Sequence, residues 1–254
     1  MAAYDQKIPV YDVINSEPYH NFVVDAGNGT LVVSHNCAIQ DEVNFCISEK
    51  AMIMGNTGSC SIKDFKDDYV FGYDYRSNKI TKGRHSGARP TAYVYKYLEI
   101  ELEDGTLLQC SHNHKFMLTD GTYKQAKDLT IDDDVMTLKP YGYVYKSTCT
   151  VTGISYIGQH NRPKLDKRYF GSGALVSEAI KKYGKENFTV EILGWALSSE
   201  ELNDLEEYWI AEYNATSDNM FYNKVATSLP PKGYEYEILR KGSHFIRVGC
   251  EDAN

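Results

Sequence analysis

Short runs of β-branched and aromatic residues, separated by polar residues and turn formers, occupy most of the first 140 positions of the chain. Two pairs of such runs are joined by the dipeptides Asn28-Gly29 and Asp104-Gly105. Asn-Gly and Asp-Gly between β-branched runs are typical of β-hairpins. The pattern therefore predicts a mainly β fold over this part of the chain, with a hairpin at each dipeptide.

The pattern changes near residue 140 to one that favours helices as well as strands. Residues 174–183 and 200–213 place apolar side chains at helical spacing, and a Gly or Ser precedes each segment. A Pro-Pro-Lys-Gly break follows, and strand-like runs return at 234–248. We therefore expect a small α/β domain at 140–224 and then a segment, 225–254, that returns to the β-rich domain or acts as a linker.

The composition is that of a folded, water-soluble protein, with 42% hydrophobic and 24% charged residues in a chain of 254. A net charge of −8 argues against a protein that coats nucleic acid along its whole length. No apolar run has membrane-spanning length, so we expect a cytoplasmic protein, and we expect it to be a monomer. Six cysteines without a C-x-x-C pair argue against a structural zinc site, and most are expected to be reduced.

Self-cleavage chemistry is available at the tripeptide His35-Asn36-Cys37, directly after a β-branched run. The side-chain amide of Asn36 can attack its own backbone carbonyl and cut the chain after itself. His35 can donate a proton to the leaving amine or polarise that carbonyl. Cys37 would then supply a nucleophilic thiol. A tripeptide of this kind also occurs by chance on surface loops, so its context decides between these interpretations.

The surrounding residues 10–37 closely resemble the C-terminal segment of inteins, including His20 within the triplet His-Asn-Phe. Residues 103–117 are similar to the N-terminal intein motif in which a Thr stands three residues before a His; Ser111 and His114 take these positions. The resemblance implies that His114 favours an acyl shift onto a cysteine thiol by hydrogen bonding to the scissile amide nitrogen. In inteins a short Ile-Lys-Asp strand follows this cysteine at a characteristic distance. Cys46, together with a strand expected at 62–64, fits that arrangement.

The order of these segments is that of a circularly permuted intein. A C-terminal segment at 1–36 comes first, an extein-like segment at 37–45 follows, and an N-terminal segment occupies 46–139. The implied reaction is an acyl shift at Cys46, transfer to Cys37 and cyclisation of Asn36, which would release residues 37–45 as a cyclic peptide. Splicing would need no cofactor, its partners would be host exteins, and the implied fold is a mainly β Hint horseshoe.

Residues 142–145 and 153–159 resemble the paired tyrosine motifs of GIY-YIG nucleases, and similar segments follow in the family's order up to residue 224. The resemblance implies a small α/β GIY-YIG domain, double-stranded DNA as partner, Mg²⁺ or a similar divalent cation as cofactor, and a phage or bacterial origin. The implied residues are Glu206 for the metal, Tyr145 and Tyr156 for the attacking water, Asn223 for support of the site, and Arg168 or Arg162 for the family's arginine.

Local charge agrees with a phosphate-binding surface, because residues 145–185 contain eight Lys and Arg but two acidic residues. Such a surplus is also found on ordinary solvated surfaces. Two alternatives to splicing with an inserted nuclease therefore stay open. In the first alternative, the chain is a GIY-YIG endonuclease whose β-rich domain only binds. In the second, it is a β-rich interaction protein without activity.

Overall fold

The computed structural model describes residues 7–14, 16, 18–26, 29–35, 46–103, 105 and 107–224. These residues divide into two compact units, with the boundary between Lys139 and Pro140. Strands dominate the described part of the chain, which contains two α-helices, so the prediction of a mainly β protein is confirmed. The segments 36–45 and 225–254, for which an extein-like segment and a return to the β-rich domain are predicted, lie outside the described residues.

The first unit consists of short strands. They are β1 (Ile8–Val13), β2 (Asn21–Asp25), β3 (Leu31–His35), β4 (Ile47–Ser48), β5 (Met52–Gly55), β6 (Gly58–Ser61), β7 (Tyr69–Asp74), β8 (Lys79–Arg84), β9 (Ala88–Val94), β10 (Leu98–Glu101), β11 (Leu107–Cys110), β12 (Lys115–Met117), β13 (Tyr123–Gln125) and β14 (Thr137–Leu138). One sheet has the order β10-β11-β4-β1-β9. The other has the order β13-β12-β3-β2-β5-β7-β8, with β14 paired to β3 and β6 to β5.

In both sheets, strands from before residue 36 lie between strands from after residue 46. β1 lies between β4 and β9, and the β2–β3 pair lies between β5 and β12. A shared core holds them together, in which Val13, Phe22 and Val32 pack with Ile53 and Phe116. All five side chains are almost completely buried, so the free energy of burial stabilises the two segments as one folded unit.

The predicted hairpins form, but two local predictions need correction. β2 pairs with β3, and β10 pairs with β11, each in antiparallel register. The segment Ile62–Asp64, expected to be a strand, forms a 3-10 turn instead. The side chain of Ile62 packs in the core. The strand-like sequence run at 93–102, one of the two runs joined by Asp104-Gly105, is divided between the end of β9 and β10, because the chain bends after residue 94. The bend is needed because β9 and β10 lie at opposite edges of one sheet, which must therefore curve strongly.

The second unit is a three-stranded antiparallel sheet with two helices. Its elements are β15 (Gly142–Cys149), β16 (Ser155–His160), α1 (Ala174–Tyr183), β17 (Phe188–Ala196) and α2 (Ser199–Glu212), and the strand order is β16-β15-β17. Both helices lie where the apolar periodicity predicts them. α2 begins one residue earlier than the expected 200–213, and the serine that precedes it is Ser198, whose side-chain oxygen accepts a hydrogen bond from the Glu201 amide at 3.1 Å. Neither helix of the described chain has the length and apolar content needed to cross a bilayer.

Candidate functional site

Ser111 forms hydrogen bonds with both backbone groups of Cys46, its amide and its carbonyl. β4 and β11 pair with Cys110 opposite Ile47, which brings Ser111 next to Cys46. The Ser111 amide donates to the Cys46 carbonyl at 2.8 Å, and the Cys46 amide donates to Ser111 Oγ at 3.1 Å. The nitrogen of the peptide bond before Cys46 is therefore bonded to a buried hydroxyl.

His114 lies in the same turn but faces another neighbour. Its backbone amide donates to the Ser111 carbonyl at 3.0 Å, and its Nε2 lies 2.5 Å from Ser34 Oγ. Phe116 packs edge-on against the imidazole, with 4.9 Å between the ring centroids. The family resemblance assigns the Cys46 nitrogen to His114, whereas the described hydrogen bond of that nitrogen goes to Ser111.

The thiol of Cys46 is buried beside two groups that sequence reasoning did not single out. Its Sγ lies 2.8 Å from Thr91 Oγ1, and the carboxyl of Asp12 acts on it through charge. Burial raises the pKa of Cys46 to about 11; the hydrogen bond of Thr91 opposes this shift and Asp12 adds to it. Asp12 could have been noticed as an acid inside an apolar strand, but Thr91 has no comparable signal.

The strand that leads into Asn36 ends among aromatic and amide groups. His35 is opposite Asn21 in the β2–β3 register, and its ring meets the edge of Tyr123 at a centroid distance of 4.9 Å. The Asn21 side chain donates to the Tyr123 hydroxyl at 3.3 Å. His20 is an exposed turn residue with φ of 52°, next in sequence to Asn21. The predicted residues Asn36 and Cys37 lie outside the described residues.

In the second unit, a glycine brings the two predicted tyrosines together. Tyr145 is opposite Gly158 in the β15–β16 register. A Cβ at Gly158 would lie 2.6 Å from the Tyr156 ring and 2.9 Å from the Tyr145 hydroxyl. Such contacts are too short for any side chain, so glycine is required for both phenols to reach this place.

Glu206 is buried near these phenols, with 1% of its surface exposed, and projects from α2. Gln159 Nε2 donates to Glu206 Oε2 at 2.9 Å and to Asn203 Oδ1 at 2.9 Å. The contact joins the carboxylate to the strand that carries Tyr156. Sequence reasoning did not assign a role to Gln159, although it directly follows the Tyr-Ile-Gly motif.

Asn223 holds the backbone of β16 immediately after Tyr156. Its Nδ2 donates to the Ile157 carbonyl at 2.8 Å, and the Ile157 amide donates to its Oδ1 at 2.9 Å. β16 is an edge strand of its sheet, so these are backbone groups that a neighbouring strand would otherwise bind. Asn223 thereby takes the place of a strand partner beside the tyrosine.

Both predicted tyrosines remain protonated near neutral pH. Burial raises the pKa of Tyr145 well above its usual value, and nearby Tyr169 and Tyr156 add to the shift. Burial also raises the pKa of Tyr156 to about 12, and the carboxyl of Glu206 contributes. As neutral phenols they can donate hydrogen bonds to a phosphate or orient a water molecule.

The two candidate arginines lie on the exposed loop between β16 and α1. Burial lowers the pKa of His160, and the charge of Arg162 lowers it further. Burial raises the pKa of Tyr143 to about 12, and the charge of Arg162 opposes that shift. The Arg168 amide donates to the Asp166 carboxylate at 2.9 Å. The described interactions thus link Arg162 to the aromatic side chains of β15 and β16, and Arg168 to its own loop.

The chemistry of the donors fits a magnesium ion. Within the described residues no three His, Cys, Asp or Glu side chains form a metal-binding group. A single carboxylate such as that of Glu206 is still sufficient, because Mg²⁺ usually keeps several waters and takes its other ligands from substrate phosphates. Glu206 would hold the ion, with Gln159 fixing the orientation of its carboxylate.

Known proteins resemble parts of this chain. No protein-family model matches it. The putative endonuclease segE of Enterobacteria phage T4 is 41% identical over 83 residues, 33% of this chain and 40% of that protein. Endonuclease segA of the same phage is 38% identical over 85 residues, 34% of this chain and 38% of that protein. A DNA gyrase subunit of Synechocystis sp. is 47% identical over 51 residues, 20% of this chain and 5% of that protein. The chain thus spans less than half of the length of each of these relatives.

Proposed function

We propose that residues 140–224 form a GIY-YIG DNA endonuclease that uses Mg²⁺. The observation that carries the proposal is the arrangement of Tyr145 and Tyr156 around Gly158, with buried Glu206 close enough to raise the pKa of Tyr156. The phage relatives named as endonucleases add support. The substrate would be double-stranded DNA.

Hydrolysis bonds a water oxygen to phosphorus, breaks the bond to the leaving oxygen and gives that oxygen a proton. The metal ion would supply stabilisation of the charge on the phosphate. Tyr145 and Tyr156, as neutral phenols, would hydrogen-bond the water and a phosphate oxygen. Asn223 would keep Tyr156 in place through its two bonds to Ile157. An exposed arginine, Arg162 or Arg168, would bind phosphate.

A matched pair of variants on α2 tests this proposal. Glu206→Gln removes the charge of the buried carboxylate, and Glu207→Gln makes the same change at an exposed neighbour. The full chain is incubated with a pool of plasmids that carry random inserts, with Mg²⁺ or with EDTA, and cut ends are sequenced. We expect cuts that need Mg²⁺, persist in Glu207→Gln and disappear in Glu206→Gln. Equal cutting by both variants would show that Glu206 does not hold the metal.

We also propose that the first unit is an intein of Hint type that splices. The supporting observation is the hydrogen bond between the Cys46 amide and buried Ser111, with His114 in the same turn. In both sheets, strands of segment 7–35 lie between strands of segment 46–139, which supports the permuted order. The alternative, a β-rich domain that only binds, differs in predicting no change in the covalent chain.

The proposed reaction balances without any cofactor. The sulfur of Cys46 attacks the carbonyl of Phe45, the C–N bond breaks, and the amine of Cys46 takes a proton. The thiol of Cys37 displaces that of Cys46 from the thioester. The side-chain nitrogen of Asn36 then attacks its own carbonyl and releases Cys37, whose amine finally takes the acyl group from its sulfur. Residues 37–45 leave as a cyclic peptide of nine residues.

Intact mass spectrometry of the incubated chain separates the two interpretations of the first unit. Splicing predicts loss of the nine-residue cycle and appearance of fragments 1–36 and 46–254. Asn36→Ala should stop release after residue 36, and Cys46→Ala should stop thioester formation. Cys60→Ala, at a half-buried cysteine of the same unit, is the control and should react normally. A chain that keeps its full mass under all conditions would leave only the binding interpretation.

A further inference from the structure

Ser34 forms a buried polar pair with His114, and the proposed chemistry assigns no role to Ser34. The Ser34 hydroxyl lies 2.5 Å from His114 Nε2, although the two residues are 80 positions apart in sequence. Both side chains have 0% of their surface exposed. Ser34 belongs to β3, where it is opposite Phe22 on one side and Phe116 on the other. The pair therefore sits between apolar side chains, away from water.

This hydrogen bond and the packing around it restrict the orientation of the imidazole. A buried polar group without a partner is costly, so His114 is held where Nε2 and the hydroxyl meet. The edge contact with Phe116 restricts rotation of the ring further. The backbone of His114 donates in turn to Ser111, whose hydroxyl holds the Cys46 amide. A short chain of contacts thus runs from β3 to the peptide bond before Cys46.

We propose that Ser34 is a positioning residue for the splice junction at Cys46. Its hydroxyl makes and breaks no covalent bond; it holds His114 so that the turn containing Ser111 keeps the Cys46 amide in its reactive geometry. Because Ser34 lies on the strand that leads into Asn36, the first acyl shift depends on correct docking of that strand. Thioester formation is thereby limited to molecules in which the segment carrying Cys37 has reached its place. The inference rests on the proposed splicing activity.

The test isolates the first step in the full chain. Cys37→Ala and Asn36→Ala together block transfer and cyclisation, so added dithiothreitol cleaves the thioester at Cys46 and releases fragment 1–45, which mass spectrometry follows in time. In this background Ser34→Ala should slow cleavage by about tenfold or more, because one buried hydrogen bond is lost. Ser34→Thr keeps the hydroxyl and should retain most of the rate. Ser59→Ala removes a serine hydroxyl bonded to Asp25 elsewhere in the unit and should cleave normally.

A second readout separates positioning from general support of the fold. The ¹⁵N chemical shifts of the His114 imidazole report its tautomer and hydrogen bond, and should change in Ser34→Ala but not in Ser59→Ala. If Ser34→Ala does not fold, Ser34→Cys keeps nearly the same volume with a weaker donor and replaces it in both measurements. A Ser34 variant that lacks the hydroxyl but is cleaved within twofold of its parent, with unchanged shifts, would overturn this inference and leave splicing intact. A parent that dithiothreitol never cleaves would overturn the splicing proposal and this inference together.

Discussion

Replacement of Asn223 by Ala removes the partner of two backbone groups at the edge of the second unit. Ile157 is completely buried, and Asn223 is 6% exposed, so bulk water has little access to the carbonyl and amide that Asn223 binds. Each buried group left without a hydrogen bond costs about 1–3 kcal/mol. With two such groups, the free energy of unfolding of this unit should fall by about 2–6 kcal/mol, a large fraction of the roughly 5–15 kcal/mol that stabilises a domain.

Replacement of Asn223 by Asp gives a pH-dependent version of the same change. Asp keeps the oxygen that accepts from the Ile157 amide but loses the N–H that donates to the Ile157 carbonyl. Burial and the facing carbonyl should raise the pKa of the new carboxyl in the folded unit above its unfolded value of about 3.9. A raised folded pKa means that stability is present below the unfolded pKa and is lost as pH rises through the folded pKa. Asn223→Asp should therefore be closer to wild type at pH 4 than at pH 7.

Tryptophan fluorescence in a urea titration measures this unit alone. Both tryptophans of the chain, Trp195 and Trp209, lie in it, so unfolding of the first unit is silent. Asn161→Ala is the matched control: its side chain donates to the Tyr141 hydroxyl from an exposed position, and its loss should change stability by less than about 0.5 kcal/mol. If Asn223→Ala matched this control, or if Asn223→Asp were equally stable at both pH values, the pairing with Ile157 would not hold β16.

Three further changes test the candidate sites. Ser111→Ala should slow dithiothreitol cleavage before Cys46 by about tenfold to a hundredfold, because the scissile amide loses its acceptor, whereas Ser111→Thr should retain the rate. The same cleavage should accelerate from pH 7 to pH 10, since the pKa of Cys46 is raised to about 11, and Thr91→Val should slow it by removing a bond that lowers this pKa; a flat pH profile would contradict the role of the thiolate. Gln159→Leu should weaken terbium binding, followed by tyrosine-sensitised luminescence, by roughly tenfold to a hundredfold because Glu206 loses its orienting donor; unchanged luminescence would remove Gln159 from the site.

Local patterns were sufficient to predict the elements that depend on neighbours in sequence. The helix Ala174–Tyr183 follows from apolar spacing and from the glycine, Gly173, that precedes it. The β2–β3 hairpin follows from alternating apolar residues around the Asn-Gly dipeptide. The 3-10 turn Ile62–Asp64 was missed because its apolar residue is buried by tertiary packing, which three residues of sequence do not reveal.

Contacts at the candidate sites depend on residues that are far apart, and sequence reasoning missed the partners for that reason. Thr91 reaches Cys46 from an edge strand 45 positions away, and Gln159 reaches Glu206 from another element. Neither partner belongs to a local repeat or turn that marks it. Gly158 was quoted only as part of a motif; its reason, the space needed by two phenols, requires the strand register.

The difference between Ser111 and His114 shows what a motif transfers and what it does not. A motif transfers residue types at a spacing, and that spacing brings both residues into one turn beside Cys46. It does not determine which atom faces the backbone nitrogen of Cys46, because that also depends on a strand from elsewhere in the sequence that packs against the turn. In this chain that strand is β3. Its Ser34 forms a hydrogen bond with the imidazole of His114, while the hydroxyl of Ser111 accepts a hydrogen bond from the Cys46 amide. The surroundings of the Cys46 amide thus depend on a strand that leads towards Asn36, and under the proposed splicing reaction the hydrogen bond of Ser34 would link the two junctions.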